Sequence, residues 1–308
     1  MGFAAMMAVA MAVDVALGWP QPIYARIGHP VTWLGRLIAA LEARLNHGPA
    51  RRVKGVATAV VVIGAAAGLG ALAQAALPGG WLGVVLGGIL AWPLIAIRSM
   101  HDHVAAVAGP LAAGDLTGAR HAVSMIVGRD PARLDGPGVA RAGLESLAEN
   151  TSDGIVAPLF WGLVAGLPGI AAYKAINTLD SMIGHRNARY QDFGWASARI
   201  DDLANLLPAR LTGALFAAVS GRAAAWGVVA RDARRHRSPN AGWPESAMAG
   251  ALGVRLSGPR AYGDRIADEP WLNPAAPDPG LHDLGRGLAL YRRAMASLWA
   301  VTLMMAVL

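Results

Sequence analysis

The chain has 308 residues, of which 55% are hydrophobic and 15% charged, and its mean hydropathy is +0.40. Soluble domains carry about 25% charged residues, so this composition indicates a membrane protein. The absence of cysteine excludes disulfides, thiolate catalysis and cysteine-ligated metal clusters. The net charge of +7 does not indicate nucleic-acid binding, because the arginines are scattered and form no basic face interleaved with aromatic side chains.

Apolar segments in chain order predict an all-α, multi-pass integral membrane protein with a single membrane-embedded domain over residues 1–308. A spanning helix needs about 20 apolar residues. The first segment lacks the basic start of a secretory signal, so we predict a retained helix. The six segments are residues 3–18, 56–77, 81–97, 155–172, 211–230 and 294–308.

Segments 56–77 and 81–97 are predicted to form a transmembrane hairpin joined by "PGGW". Basic residues including Lys54 precede the pair and Arg98 follows it. Because cytoplasmic loops carry an excess of basic residues, both ends of the hairpin are expected on the cytoplasmic side of the cell membrane.

Segment 155–172 contains Pro158 and Pro168, and two interpretations stay open. It either crosses the bilayer or re-enters it, and irregular backbone at that depth needs cover from protein or water. We favour the re-entrant alternative. Segment 211–230 contains Arg222, which indicates either an intramembrane functional site or a helix packed against protein.

Three polar stretches separate these segments: 98–153, 174–209 and 231–287. The first two are predicted as mainly helical, cytoplasm-facing loops. The third contains the turn-rich runs "SPNAGWPES" and "NPAAPDPG", and none of the three shows an alternation that would predict strands.

Oxygen-rich residues recur around segment 155–172. The sequence Asn-Thr-x-Asp begins at Asn150 and again at Asn177, and "RIDDLAN" follows. Residues three and four apart share a helix face, which would align Glu145, Glu149 and Asp153. Such oxygens suit Mg²⁺, although helix capping is the simpler alternative. The predicted metal ligands are Asp153, Asp180, Asp201 and Asp202.

Other polar residues carry weaker signals. Lys174 is one of only two lysines, and its compact ammonium suits a polar site, although a membrane-edge position would also explain it. Asn240 and Ser246 flank a predicted helix start that could bind an anion, for which ordinary turn chemistry is the simpler interpretation. His29 is either a site residue or part of a turn before Pro30. No Walker loop is present, so any nucleotide would be bound without one.

Five blocks closely resemble the adenosylcobinamide-phosphate synthase family of cobalamin biosynthesis. They run in order over nearly the whole chain, and Trp19 departs from them where relatives often carry Asp. The blocks are "DVALGWPQPIYARIGHPVTWLGRLI", "SMIVGRDPARLD", "ESLAENTSDGIVAPLFW", "YKAINTLDSMIGHRNARYQDFGWASARIDDLANLLPARLTG" and "SPNAGWPESAMAGALGVRLSGPRAYGD".

The resemblance implies a membrane enzyme that joins adenosylcobyric acid to (R)-1-amino-2-propanol or its O-phosphate as an amide, consuming ATP with Mg²⁺. The expected general base is Glu145 or Glu149, with His29 as a further candidate, and the expected catalytic residues include Lys174 and Asp180. The expected substrate-binding residues are His29, Arg129, Asn150, Asn177, Ser181, Arg186, Asn240 and Ser246.

The expected partners are the corrinoid, the aminopropanol (phosphate), membrane lipid and other membrane enzymes of cobalamin assembly, and nucleic acid is not expected. Two alternatives belong to other classes. A Mg²⁺-dependent transferase of lipid-linked diphosphates would carry denser aspartate motifs than this chain has. A corrinoid or anion transporter would show inverted repeats. The repeated Asn-Thr-x-Asp motif is too short to count as such a repeat.

Overall fold

The computed structural model describes residues 2–127, 131–132, 134–262, 265–267 and 269–308. Helices dominate this part of the chain. They are α1 Phe3–Leu17, α2 Gln21–Ile27, α3 Pro30–Leu45, α4 Arg51–Ala75, α5 Gly80–Ala91, α6 Ile97–Ala112, α7 Leu116–Ser124, α8 Gly136–Thr151, α9 Ala157–Ile183, α10 Trp195–Ala204, α11 Leu206–Ser220, α12 Ala223–Asp232, α13 Gly242–Leu252 and α14 Asp283–Val307.

The chain divides into two compact units, each assembled from separate segments. Unit 1 contains the residues up to Ala96, Asp153–Leu206 and Val301–Leu308, and unit 2 contains Ile97–Ser152 and Leu207–Ala300. The prediction of a single membrane-embedded domain is not tested by this division and stays a prediction.

Helix α4 packs on α9 in unit 1 through small residues. A Cβ on Gly70 would lie 2.7 Å from the carbonyl oxygen of Leu167 in α9, and one on Gly55 would lie 1.8 Å from that of Phe193, which precedes α10. Small residues let helix backbones approach closely, as in membrane helix pairs. The opposite side of α4 exposes large apolar side chains, as expected of a lipid-facing surface; these include Val53, Val60, Leu69 and Leu72.

The two helices of the predicted hairpin have different main partners. Helix α4 packs against α9, whereas α5 packs against α1. In the second pair a Cβ on Gly88 would meet the Val9 side chain at 2.5 Å. The hairpin connection at Gly79 and Gly80 is therefore present, but the packing energy of each helix comes from another part of the chain.

Helix α9 is broken at Ala165 and Gly166, where Gly166 adopts φ 64°. The break lies just before Pro168, which lacks an N–H and clashes with the carbonyl group four residues earlier in a continuous helix. Oε1 of Gln74 accepts the Leu167 backbone N–H at 2.9 Å, which satisfies a donor that the break releases. Pro158 lies in the first turn of the helix, where proline is tolerated.

Within the described residues, three helical stretches are long and apolar enough to cross a membrane: Arg51–Ala75, Gly80–Ala112 and Gly136–Ile183. The number rises to five if each of two bent helix pairs is one span. The predicted all-α, multi-pass membrane class is therefore confirmed. Whether segment 155–172 crosses or re-enters the bilayer stays a prediction.

Two predictions for unit 2 are corrected. Segment 211–230 is two helices, since α11 ends at Ser220, Gly221 takes φ 67° and Arg222 begins α12 as its N-cap. The stretch 231–287 also contains strands, which are too short to show alternation. They are β1 Leu256–Ser257 paired with β4 Trp271–Leu272, and β2 Arg260–Tyr262 paired with β3 Arg265–Ala267.

Candidate functional site

The first Asn-Thr-x-Asp sequence ends in a π-helical turn. Helix α8 stops at Thr151 and residues Ser152–Val156 wind more widely before α9 begins. Such turns inside helices are frequent at functional sites. The turn changes the helical register after Thr151, so Glu145 and Glu149 keep the predicted four-residue spacing on α8, whereas Asp153 lies beyond the regular α-helix. It also carries Asp153 into unit 1.

Tyr173 connects this turn to the third oxygen-rich cluster within unit 1. Its hydroxyl donates to Oδ1 of Asn205 at 2.8 Å and lies 3.2 Å from the Asp153 carbonyl oxygen. Nδ2 of Asn205 in turn donates to Oδ2 of Asp201 at 3.0 Å. All three of the side chains in this relay are buried, so Tyr173, Asn205 and Asp201 form a fixed hydrogen-bonded chain.

Lys174 follows Tyr173 on α9 and is only 9% exposed. Its ammonium interacts electrostatically with the Asp153 carboxylate and with His29. A buried charge is costly unless an opposite charge compensates it. The Asp153 carboxylate therefore partly compensates the charge of the buried lysine.

Asp180 lies two turns further along α9 and faces like charge. Its carboxylate interacts electrostatically with that of Asp202 and with His185. A Cβ on Gly184 would lie 1.9 Å from Asp180 Oδ1, so the carboxylate folds back over the glycine. Two acids held in each other's field lower their mutual repulsion by taking up a cation.

The donor chemistry of this pair fits Mg²⁺. Among the described residues, no group of three or more His, Asp or Glu side chains could by itself hold a metal ion. Magnesium usually needs only one or two carboxylates together with substrate phosphates. Asp180 and Asp202 satisfy that smaller requirement. Asp201 is instead hydrogen-bonded to Asn205 and Asp153 is compensated by Lys174.

His29 reaches the same region from the start of α3. Its ring meets Trp19 edge-on at 4.9 Å between centroids, and its Nδ1 accepts the Val31 backbone N–H at 3.2 Å. Trp19, the departure from the family pattern, thus supports His29 by an aromatic contact.

The remaining predicted residues of unit 1 lie at the edge of α9. Asn177 is half-buried, and Ser181 and Arg186 are exposed. The Ser181 hydroxyl donates to the Asn177 carbonyl oxygen at 2.8 Å, which is an ordinary helix contact. Arg129 lies outside the described residues.

The predicted bases lie in unit 2 and differ from one another. Glu145 is 6% exposed, and its Oε1 accepts the Ser257 backbone N–H at 2.7 Å, so it anchors strand β1 to α8. Glu149 and Asn150 are exposed. Asn150 donates to the Ser146 carbonyl oxygen at 2.9 Å.

The helix start predicted to bind an anion already has an internal acceptor. The Ser238 hydroxyl accepts the backbone N–H groups of Asn240 and Ala241, both at 3.2 Å. Asn240 and Ser246 are buried in unit 2. The contacts of this segment thus favour the turn interpretation over an anion site.

Sequence reasoning missed Tyr173 and the support from Trp161. Nε1 of Trp161 donates to the Ala204 carbonyl oxygen at 3.1 Å and secures the end of α10 beside Asn205. The sequence signal that could have indicated this contact is a tyrosine inside an apolar helix. A buried Tyr hydroxyl usually has a hydrogen-bond partner.

The fold and these side chains define a helical membrane protein with a buried, oxygen-rich polar site. The chain belongs to the CobD/Cbib protein family, whose model matches residues 7–291, and the resemblance found in the sequence is thereby confirmed. This places it in cobalamin biosynthesis.

Similar chains are found in several bacteria, all named cobalamin biosynthesis protein CobD. That of Rhodobacter capsulatus is 70% identical over 100% of this chain and 99% of its own length. That of a Sinorhizobium species is 48% identical over 92% of each chain, and that of Brucella suis is 49% identical over 87% of this chain and 85% of its own. No solved structure matches the chain.

Proposed function

We propose that the protein catalyses ATP-dependent amide formation between adenosylcobyric acid and (R)-1-amino-2-propanol or its O-phosphate, in the cell membrane. The observation that carries the proposal is a group of charged residues in unit 1. Lys174 is buried on α9 and interacts electrostatically with Asp153, and Asp180 on the same helix interacts with the like-charged Asp202 on α10. That arrangement offers a cation for an anionic reactant and two carboxylates for Mg²⁺. Membership of a cobalamin-biosynthesis family supplies the substrate class.

The chemistry requires an activated carboxylate. A carboxylate oxygen of the corrinoid attacks the γ-phosphorus of ATP, and the bond to ADP breaks. The amine nitrogen then attacks the acyl carbon, inorganic phosphate leaves, and a base takes a proton from nitrogen. Catalysis of phosphoryl transfer depends on positioning and on charge stabilisation, which is the role available to the residues around Lys174.

Each polar residue of the candidate site in unit 1 has a distinct role in this proposal. Asp180 and Asp202 would hold Mg²⁺, which when bound neutralises phosphate charge. Lys174 binds an anionic oxygen of the reacting phosphoryl or carboxylate group, and the Asp153 carboxylate partly compensates its charge. Tyr173 positions the Asp153 turn through its hydroxyl.

Glu149 is the proposed general base. Its side chain is exposed, whereas that of Glu145 is buried and accepts the Ser257 backbone N–H. The Glu149→Gln variant should lose turnover without a change in thermal stability.

The decisive experiment uses the full chain in detergent with adenosylcobyric acid, Mg-ATP and either aminopropanol or its phosphate. ADP release and amide product, measured by mass spectrometry, should appear together and in equal amounts. Amide-free ATP hydrolysis, or the absence of both products from a folded preparation, would refute the proposal. Comparing the two amines also identifies which one the enzyme uses.

A further inference from the structure

His29 is held at the junction between α2 and α3 by hydrogen bonds on both sides of its backbone. Its N–H donates to Oγ1 of Thr32 at 3.3 Å, and the Thr32 hydroxyl donates to the His29 carbonyl oxygen at 2.7 Å. Pro30 begins the helix and lacks an N–H, so Val31 supplies the first donor that needs a partner. Nδ1 of His29 accepts that donor at 3.2 Å.

This contact fixes the tautomer of the ring. A backbone N–H can only donate, so Nδ1 of His29 must present its lone pair. In a neutral imidazole one nitrogen accepts and the other carries the hydrogen. The proton of His29 therefore resides on Nε2, and the ring offers a donor to its surroundings.

Two features keep the ring neutral. Protonation of Nδ1 would break the hydrogen bond from Val31 and leave the helix start without its cap. It would also place a second cation in the field of Lys174, which already acts on His29. The edge-on contact with Trp19 restricts ring rotation, so the tautomer and the orientation are fixed together.

We infer that His29 binds substrate as a neutral hydrogen-bond donor, from Nε2–H to the anionic phosphoryl or carboxylate oxygen that Lys174 also binds. This inference excludes His29 as the general base, a role for which the sequence made it a further candidate. The identity of the anion rests on the proposed function, whereas the tautomer rests on the cap alone.

Two substitutions separate the two ring nitrogens. The His29→Asn variant retains an acceptor near the Nδ1 position and loses the Nε2 donor. The His29→Gln variant places an amide donor near the Nε2 position and loses the cap. A hydrogen bond to a charged group contributes about 10- to 100-fold to affinity, so the Asn variant should raise KM for the anionic substrate by that factor at an unchanged melting temperature.

The Gln variant should show the opposite pattern. Its melting temperature should fall because the cap is lost, and its KM should be about 10-fold lower than that of the Asn variant and so nearer to that of the unmodified protein. A general base predicts something else, namely that both variants lose kcat alike with KM unchanged. That result would overturn the inference, as would an unchanged KM in a folded Asn variant.

A second measurement is independent of activity. Nitrogen-15 NMR of the histidine-labelled full chain in detergent, with the His29 signals assigned by their loss in the Asn variant, should show an unprotonated Nδ1 and a protonated Nε2 near neutral pH. An Nδ1–H tautomer or an imidazolium would refute the inference. If the expected tautomer is found but no amide forms, the proposed function fails and the assignment of the ring stands.

Discussion

Asp278 of unit 2 and Asp180 of unit 1 differ in the charged groups around them. In unit 2, Asp278 accepts hydrogen bonds from Nε of Arg255 at 3.0 Å and Nη1 of Arg141 at 2.7 Å. Both guanidinium groups also stack over Trp271. In unit 1, Asp180 instead faces another carboxylate, that of Asp202.

This difference separates structural from functional acids. A carboxylate neutralised by arginines has its charge satisfied inside the protein and contributes to folding. One that faces a like charge is strained until a cation or a proton arrives, and such arrangements cluster at functional sites. We therefore expect Asp278 to act in folding and Asp180 in function, and the following experiments test that contrast.

The largest effect is expected from Asp180→Asn. Removing one carboxylate of the like-charged pair should lower amide synthesis by about 10²- to 10³-fold, because charge stabilisation at the phosphoryl group is lost. The melting temperature should stay equal or rise, since repulsion with Asp202 is relieved. Turnover and thermal unfolding in detergent measure both quantities.

The matched control for that variant is Asp192→Asn, which changes an exposed aspartate in the same unit. Its turnover should change less than about twofold, because surface substitutions are usually close to neutral. If Asp180→Asn lost stability and kept turnover, Asp180 would belong with the structural acids.

Gly184→Ala should move the same carboxylate without removing it. The new Cβ would collide with Asp180 Oδ1, and displacement of a catalytic group by about 1 Å can cost on the order of 100-fold in rate. Gly64→Ala, within α4 and with open space at the Cβ position, is the control. Equal activity of the two variants would show that the position of Asp180 is unimportant.

Tyr173→Phe should have an intermediate effect. The change leaves the buried Oδ1 of Asn205 without its donor, which costs about 1–3 kcal/mol of unfolding free energy. Movement of the Asp153 turn should lower kcat by about 10-fold. Tyr24→Phe, at an exposed position of α2, should change neither quantity. A Tyr173→Phe enzyme with full turnover would limit the hydrogen-bonded chain to a structural role.

The smallest effect concerns Asp278 and pH. Hydrogen bonding to Arg255 and the nearby charge of Arg141 lower the pKa of the Asp278 carboxyl. The contact therefore stabilises the fold above the ordinary Asp pKa of about 3.9, and this contribution is lost as the pH falls through the lowered folded-state value. Because Asp278 is a third exposed, the contribution is at most about 1 kcal/mol.

Thermal unfolding followed from pH 7 to pH 3 tests this last expectation. Asp278→Asn should lower the melting temperature at pH 7 and reduce its decline in acid. Asp102→Asn, whose side chain is exposed, should leave the acid decline as it is. An identical pH profile for Asp278→Asn and the unmodified chain would contradict a stabilising role for the arginine contacts.

Much of the membrane architecture could be predicted because a bilayer imposes a long apolar run on each helix. Segment 3–18 corresponds to α1, and segment 56–77 lies largely within α4. The break in α9 was indicated by Pro168, but its partner Gln74 is 93 residues away in sequence. Local patterns carry no information about such contacts.

In the candidate site, too, only the relations between residues near in sequence could be predicted. Helical spacing correctly placed Lys174 and Asp180 on α9 and paired Asp201 with Asn205. It could not foresee the π-helical turn at Ser152–Val156, which interrupts the regular α-helical spacing between Glu149 and Asp153. Nor could it foresee that Glu145 would satisfy the Ser257 N–H, because that contact joins residues 112 positions apart.

The interleaving of the two units along the chain has a consequence for biosynthesis. Unit 1 is drawn from the first 96 residues, a middle portion and the last eight residues, Val301–Leu308. Neither unit can therefore be completed in the bilayer until its later segments have been synthesised. The N-terminal helices must wait, inserted but without their final neighbours, until Asp153–Leu206 has been synthesised, and no single cut in the polypeptide would liberate an intact unit.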